Sequence, residues 1–460
     1  MPRFETIGNA TLIVYEGHNN NSPLLATDVW LDEDDAYFGS WRLSHKIPTE
    51  QREALSKVKY IFLSHFHPDH LNLKSLQKYK NSTILLAQHY GSRIENDLRN
   101  AGFTVINLPP RKWISIGKQT RIILFNNEIQ DSCILIEIED NIGEKSLLVN
   151  LNDSGGKGNL REISNISSKY KNSFYLALNG YGDADMINLF DEKGSRIEPK
   201  AAQKDPVGKA FSIWMKRFNC NIAIPFSSHH QYQRRDSFWA NEYITPLSAY
   251  SKGFEVKNNS KLLPAFQNII FCDGTYIPND INPETVEIKE PIPESKFGDD
   301  WSVPINEKEI NQCKEYFCSI KTLNINYKRI SLIVGKHKTV VMDRGKGKAS
   351  LIFEVPKTSL MKAIRREIFD DLLIGNFMKT TLINGISLYD PDFTFATAKY
   401  SDNGGVKTTD ELKDYFAYYS SHRSNIDKFV LNKETIKTRI RSRINDSLVL
   451  KVKSLLKINK

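Results

Sequence analysis

The sequence predicts a layered α/β fold, and three observations carry the prediction. Between residues 59 and 108, apolar runs of strand length alternate with amphipathic helical stretches. From 112 to 151 the pattern turns to β-hairpins, with turn residues at Asn141-Ile142-Gly143. Three apolar runs also stop abruptly at histidine or aspartate. These are Tyr60–Leu63 before His65, Leu147–Leu151 before Asp153, and Asn221–Phe226 before His229 and His230. Strand ends are a common place for ligands in layered α/β folds.

Taken in order, the chain opens with two strand-like runs, Asn9–Tyr15 and Leu24–Leu31, which fit a hairpin. Asp28 stands near the end of the second. A carboxylate there can orient a metal-ligating histidine from behind, or simply cap a loop. Residues 49–58 read as a short helix with Thr49 as its N-cap. Strand 59–64 follows and runs into Ser64-His65-Phe66-His67-Pro68-Asp69-His70. Imidazoles and carboxylates this dense, with no cysteine among them, favour a borderline-to-hard cation such as Zn, Fe or Mn. A helix over 72–80, a strand over 83–87, a helix over 91–101 and a strand over 103–108 complete this part. His89 reads as a surface or structural histidine.

The hairpin strands are 112–116, 119–125, 132–139 and 146–151. Asp153 closes the last of them and is a ligand candidate, although an aspartate before Gly155-Gly156 also suits a plain turn. A strand over 174–178, a helix over 204–218 and a strand over 221–226 lead to His229 and His230. Residues 251–300 are richer in Pro, Asn and charge, which marks the edge of the first unit. The expected organisation is a catalytic domain over 1–255, a connecting segment over 256–300, an α+β accessory region over 301–430 and a basic tail over 431–460. In the accessory region a helix is expected over 307–319, strands over 329–334, 339–343 and 349–355, and helices over 360–373 and 410–419. No ligand cluster is visible there, and a lid, dimerisation or substrate-shaping role is expected.

The chain has 460 residues, 40% of them hydrophobic and 25% charged, enough for a large core and more than one structural unit. The N-terminus lacks the apolar core of a secretory signal, and no apolar run reaches 18 residues, so no transmembrane segment is expected. Five scattered cysteines suit a reducing compartment, and a cytoplasmic location is expected. Most of the net charge of +9 lies in 431–460, where nine Lys/Arg face only Glu434 and Asp446. That tail suits a solvated helical face, or an anionic partner such as nucleic acid.

The motif His65-x-His67-x-Asp69-His70 after a strand, then Asp153 after a strand, then a late histidine, resembles the metallo-β-lactamase superfamily. The resemblance implies an αββα sandwich with a one- or two-metal site between its sheets, here followed by an additional C-terminal α+β region. By that resemblance His65 and His67 bind the first metal, Asp69 and His70 the second, and Asp153 bridges. His230, or its neighbour His229, completes the second site. Thr27–Leu31, Gly39-Ser40-Trp41, Tyr60–Leu71, Asp131–Ile134 and Ile224–Phe226 are similar to the lactamase-like domain of the CMP-N-acetylneuraminate hydroxylases. That branch lies near phospholipase D-like and lactonase hydrolases. The likeness covers roughly residues 8–240.

Two departures stand out. The paired Cys-x-His and Cys-x-x-His segments of a Rieske centre are absent from this sequence. The region where the superfamily supplies a third histidine to the first metal offers Asn127, Glu128, Gln130 and Asp131 instead. Glu128 or Asp131 would substitute, shifting preference from Zn towards Fe or Mn. The expected activity is metal-dependent hydrolysis of a small-molecule ester, lactone, thioester or phosphodiester. Two cations would lower the pKa of a shared water, with Asp69 or Asp153 orienting it. The alternative is a di-iron oxygenase of a biosynthetic or sugar-modifying pathway. A homo-oligomer is compatible with either.

Overall fold

The computed structural model describes residues 1–17, 22–156, 158–178, 187–203, 206–256, 260–343, 345–385, 387–388, 393–423 and 427–428. The expected basic tail, 431–460, lies outside them.

The chain begins with β1 (Arg3–Ile7), β2 (Thr11–Tyr15), β3 (Pro23–Thr27) and the short β4 (Trp41–Leu43). After α1 (Thr49–Leu55) come β5 (Tyr60–Leu63), α2 (Leu73–Leu76), β6 (Thr83–Ala87), α3 (Arg93–Asn100) and β7 (Thr104–Leu108). β8 (Ile114–Ser115), β9 (Thr120–Asn126), β10 (Ser132–Glu139) and β11 (Lys145–Asn150) form the hairpin region. α4 (Leu160–Ser167), β12 (Asn172–Ala177), β13 (Leu189–Phe190), α5 (Val207–Phe218), β14 (Ile222–Pro225) and β15 (His230–Tyr232) follow. The next strands are β16 (Lys261–Leu262), β17 (Gln267–Cys272) and β18 (Thr275–Asp280).

Most of these strands build two mixed sheets, while β4 and β15 pair with each other. One sheet has the order β18-β17-β1-β2-β3-β5-β6-β7, the other β16-β14-β12-β11-β10-β9-β8. The sheets face each other across an apolar layer that includes Phe4, Leu12, Leu25, Phe62 and Leu85 from the first and Leu124, Ile134, Ile136, Phe174 and Ile224 from the second. The outer face of the first sheet packs on Leu55, Leu76 and Leu98 of α1, α2 and α3. That of the second packs on Ile163 of α4 and on Phe211 and Met215 of α5. The architecture is therefore an αββα sandwich. Because both faces of its central strands are covered, those strands read as continuous apolar runs; all five residues of β2 are buried.

Several elements differ from the sequence-based expectation. Pro48, not Thr49, occupies the N-cap of α1 and makes no side-chain cap. β1 was not expected, and the segment 256–300 supplies β16, β17 and β18 to the sandwich sheets instead of merely connecting. β17 pairs antiparallel with β1, Phe4 opposite Ile269. Nothing local in Gln267–Cys272 encodes a partner some 260 residues away.

The C-terminal region contains α6 (Glu307–Ser319), α7 (Lys321–Asn326), β19 (Tyr327–Val334), β20 (His337–Met342), β21 (Ala349–Glu354), α8 (Lys357–Arg366), α9 (Asp370–Ile374), β22 (Lys379–Ile383), α10 (Thr394–Tyr400) and α11 (Thr409–Ser421). Asn306 caps α6 with a reciprocal bond to Glu309, so that helix starts where the capping-box pattern places it. The third sheet, β13-β22-β21-β19-β20, borrows β13 from the N-terminal half, with Leu189 opposite Thr380. The expected single helix over 360–373 breaks in two: Glu367 adopts φ +51°, ending α8 in a left-handed turn. That break re-aims the chain, so that α9 starts with Asp370 and Asp371 beside the His-rich loop.

Candidate metal centre

The His-rich loop leaves β5 with its side chains already constrained. Asp28, fully buried at the end of β3, adopts φ +41°, a left-handed conformation that aspartate tolerates. Its carboxylate accepts from the Ser64 backbone N–H at 2.8 Å and from the Ser64 hydroxyl at 2.8 Å. The Asn152 side-chain amide donates to it as well. His70 Nδ1 lies 3.1 Å from the same carboxylate. Asp28 thus fixes the His70 ring with Nε2 pointing away from it. Ser64 Oγ contacts His65 Nδ1 at 2.9 Å and likewise leaves His65 Nε2 facing inward.

Asp153 lies where these two imidazoles converge. Its Oδ2 is 3.6 Å from His70 Nε2 and 3.8 Å from His65 Nε2. Asp69 Oδ2 is 3.2 Å from His70 Nε2. The other partners of Asp69 are the Tyr37 hydroxyl, 2.6 Å from Oδ1, and the Asn9 amide, 2.9 Å from Oδ2. His67 faces the other way. Its Nε2 lies 3.1 Å from Asp370 Oδ2, and one ligand atom from each of His67, Asp370 and Asp371 falls within 4.8 Å of the others. One atom from each of His65, His70 and Asp153 satisfies the same condition. The two sets adjoin, since the His65 and His67 ring centroids are 4.7 Å apart.

The donor set fits a cation, because several of its buried atoms are unpaired. His65 Nε2, Asp153 Oδ1, Asp370 Oδ1 and Asp371 Oδ1 are buried and have no hydrogen-bond partner. A buried polar atom left unpaired costs on the order of 1–3 kcal/mol. Four such atoms around one loop are accounted for together if cations take them.

Electrostatics agree with this picture. Burial and the neighbouring imidazoles hold His65 well below its ordinary pKa, leaving it a neutral ligand. Burial also opposes the charge on His67, yet the Asp370 hydrogen bond and the fields of Asp370, Asp371 and Asp131 outweigh it and raise His67 to about 10. His70 is raised in the same way, chiefly by Asp69 and Asp153 against the cost of burial. Burial and then the Asp153 charge lift Asp131 to about 7. The folded-state pKa of His67 exceeds the unfolded value of about 6.5. Its pair with Asp370 therefore stabilises the metal-free protein fully below about pH 6.5, and that contribution fades as pH rises through about 10. A metal bound through His67 would displace this proton. Titrations at pH 7 in two buffers of different ionisation enthalpy should show proton release on metal binding; no release would contradict the protonated pair.

The remaining expected residues lie elsewhere. Glu128 is corrected: the Arg423 guanidinium pairs with its carboxylate and Tyr415 of α11 donates to its carbonyl oxygen at 2.5 Å, and it belongs to neither of the two clustered ligand sets. Asp131, the other residue considered for that role, is the one that feels Asp153, His67 and His70. His230 stacks flat on Trp41 at 3.5 Å, within the field of Asp69. His229 packs against Phe266, with ring centroids 4.9 Å apart, and its backbone N–H donates to the Asn9 side chain at 2.9 Å. The resemblance assigned His65 and His67 to one metal, whereas here His65 joins His70 and Asp153, and His67 joins α9. His89 is half-buried, bridging Ser132 Oγ at 2.7 Å and the Tyr419 hydroxyl at 3.0 Å. With His65 it lines a small polar cavity of about 220 Å³.

Sequence reasoning missed Asp370, Asp371, Tyr37 and Asn9. The pair in Phe369-Asp370-Asp371-Leu372-Leu373 was the available signal: adjacent carboxylates inside an apolar helical run imply buried charge that needs a partner.

No protein-family model matches the chain. It is 27% identical over 128 residues to the cytidine monophosphate-N-acetylneuraminic acid hydroxylase of Asterias rubens, covering 26% of this chain and 19% of that protein. It is 27% identical over 119 residues to the Sus scrofa protein of the same name, covering 24% of this chain and 27% of that one. The match therefore spans about a quarter or less of these relatives. Among solved structures, the isothiocyanate hydrolase from Delia radicum gut bacteria aligns over 58% of this chain and 99% of its own, with 13% identity and a TM-score of 0.38.

Proposed function

We propose that this αββα sandwich, whose His-rich loop resembles that of the metallo-β-lactamase superfamily, is a metal-dependent hydrolase of a small-molecule ester, lactone, thioester or phosphodiester. The observation that carries this reading is the convergence of His65, His70 and Asp153 with His65 Nε2 and Asp153 Oδ1 left unpaired. Divalent cations bound by the two adjoining sets would supply Lewis acidity and a water acidic enough to be deprotonated near neutral pH. Asp28 and Ser64 hold the His70 and His65 rings so that no reorganisation is needed at the reacting centre. Asp69 already accepts from Tyr37 and Asn9, which makes it an orienting group for His70. Asp153, partly open to solvent, would be both a ligand and the carboxylate that orients the attacking water.

A second reading is favoured by a specific observation. The set His65, His70, Asp153 is two imidazoles and one carboxylate, and Asp370, Asp371 and Asp131 crowd the same volume. That oxygen-rich composition suits iron better than zinc and supports an oxygenase fed by an external electron donor. The relatives named as hydroxylases support the same reading.

Metal analysis of protein purified without added metal separates the two. Zinc together with turnover of bis-p-nitrophenyl phosphate or a simple lactone supports hydrolysis and sinks the oxygenase. Iron together with reductant-dependent oxygen uptake does the reverse.

A further inference from the structure

We propose that the C-terminal region supplies metal ligands: Asp370 and Asp371 of α9 bind one cation jointly with His67. This inference rests on the metal reading above and adds a ligand source 300 residues away from the His-rich loop.

The spacing of the three side chains fits a coordination shell. Two ligands each about 2.1 Å from a shared cation stand about 3.0 Å apart at octahedral angles and about 3.4 Å apart at tetrahedral ones. His67 Nε2 and Asp370 Oδ2 are 3.1 Å apart, between those values. An Asp371 oxygen completes a triangle whose atoms all lie within 4.8 Å. Asp370 and Asp371 are 8% and 5% exposed, and Oδ1 of each has no hydrogen-bond partner. Two adjacent buried carboxylates repel, and burial and Asp370 together push the Asp371 carboxyl well above its usual range. Asp402, 2% exposed and with neither carboxylate oxygen hydrogen-bonded, lies in the field of the same pair, and burial together with Asp370 and Asp371 pushes its carboxyl well above the usual range.

Placement of the pair is rigid, as a metal site needs. The end of α9 is pinned to the sandwich by Ser40 Oγ donating to the Gly375 carbonyl at 2.6 Å and by Trp239 Nε1 donating to the Asn376 carbonyl at 3.1 Å. The Asn376 amide donates to the Tyr232 hydroxyl at 2.9 Å. One imidazole and two carboxylates make a harder set than His65, His70 and Asp153, so this position prefers Mn(II) or Fe(II) to Zn(II). Three protein ligands leave positions open on the ion. The cation would also bridge the sandwich and the C-terminal region.

The test is metal stoichiometry of the full chain. Wild type and the isosteric double variant Asp370→Asn/Asp371→Asn are stripped, loaded with Mn(II) and measured by elemental analysis and titration calorimetry. Wild type should bind two equivalents and the double variant one, the retained equivalent keeping its affinity within about threefold. The metal-free double variant loses the His67–Asp370 pair and some stability with it, so a single cooperative melt, whatever its midpoint, guards against misfolding. A second readout needs no mutation: Mn(II)-loaded wild type should show the electron paramagnetic resonance spectrum of a spin-coupled pair. Two equivalents with unchanged affinity in the double variant overturn the inference and leave the metal reading intact. One equivalent in both proteins does the same. No binding by wild type refutes the metal reading itself.

Discussion

Replacing His70 with alanine should strip the cation held with His65 and Asp153 and lower turnover more than about 100-fold. The lower bound follows from precedent for the shell outside a metal: losing a group that merely orients a ligand costs about 10–100-fold in affinity or activity. His70 is the ligand itself, and its Nε2 sits between Asp69 at 3.2 Å and Asp153 at 3.6 Å. The fold should survive. Asp28 loses one partner yet keeps the Ser64 backbone N–H, the Ser64 hydroxyl and the Asn152 amide. Its carboxylate is therefore not stranded, and the penalty for an unpaired buried charge does not arise. Elemental analysis beside a thermal melt checks both halves. Full metal content in the variant would remove His70 from the site, and a collapse of the melt would make its role structural.

How much of this centre the sequence discloses depends on how local each interaction is. His65, His67, Asp69 and His70 sit within six residues at the end of one strand, so a single motif reveals them. Asp28 and Asp153 share the signature of a carboxylate where an apolar run stops, and both are found beside the motif. Asp370 and Asp371 have no such signature. They reach His67 only because Glu367 breaks the helix expected over 360–373, and a left-handed glutamate is not announced by its neighbours. Glu128 shows the opposite failure. It lies in the right stretch of sequence, but Arg423 claims it, and no spacing rule foresees a partner 295 residues away.

The fold divides along the same line. Strands buried on both faces, such as β2, β5 and β11, are continuous apolar runs and legible as such. β18 is almost wholly exposed and carries Pro278, and it reads as linker until β17 gives it a partner. β13 has two residues and exists only through β22. Local pattern identifies elements that bury their own surface. It does not identify elements that a distant strand recruits.

The link between the two halves of the molecule yields the largest expected stability effect. The Arg234 side chain is fully buried, as is that of Asp299. Its guanidinium donates to both Asp236 oxygens at 3.0 and 2.8 Å, to Asp299 Oδ2 at 2.8 Å and to the Phe38 carbonyl at 2.9 Å. Its carbon centre lies 3.9 Å from the centroid of the Phe377 ring. Asp299 in turn accepts from the backbone N–H and hydroxyl of Ser359 in α8, at 3.0 and 2.5 Å. Removing one partner of such a pair leaves an uncompensated buried charge and costs about 3–5 kcal/mol, a large share of the roughly 5–15 kcal/mol that holds a domain together. Arg234→Met should show that loss in urea unfolding. Arg234→Lys should recover only part of it, because an ammonium keeps the charge without the planar fork. The double variant Arg234→Met/Asp299→Asn should be less destabilised than the sum of the two single variants, since it removes both members of the buried pair. Additive losses would show that the two side chains are not energetically coupled. Because Arg234 touches Phe377 just beyond α9 and reaches α8 through Asp299, Arg234→Met should also weaken the cation at His67, Asp370 and Asp371 while sparing the one at His65, His70 and Asp153. Equal weakening of both would mean that the damage spreads through the whole sandwich, whereas selective weakening ties the buried Arg234 anchor to the placement of α9.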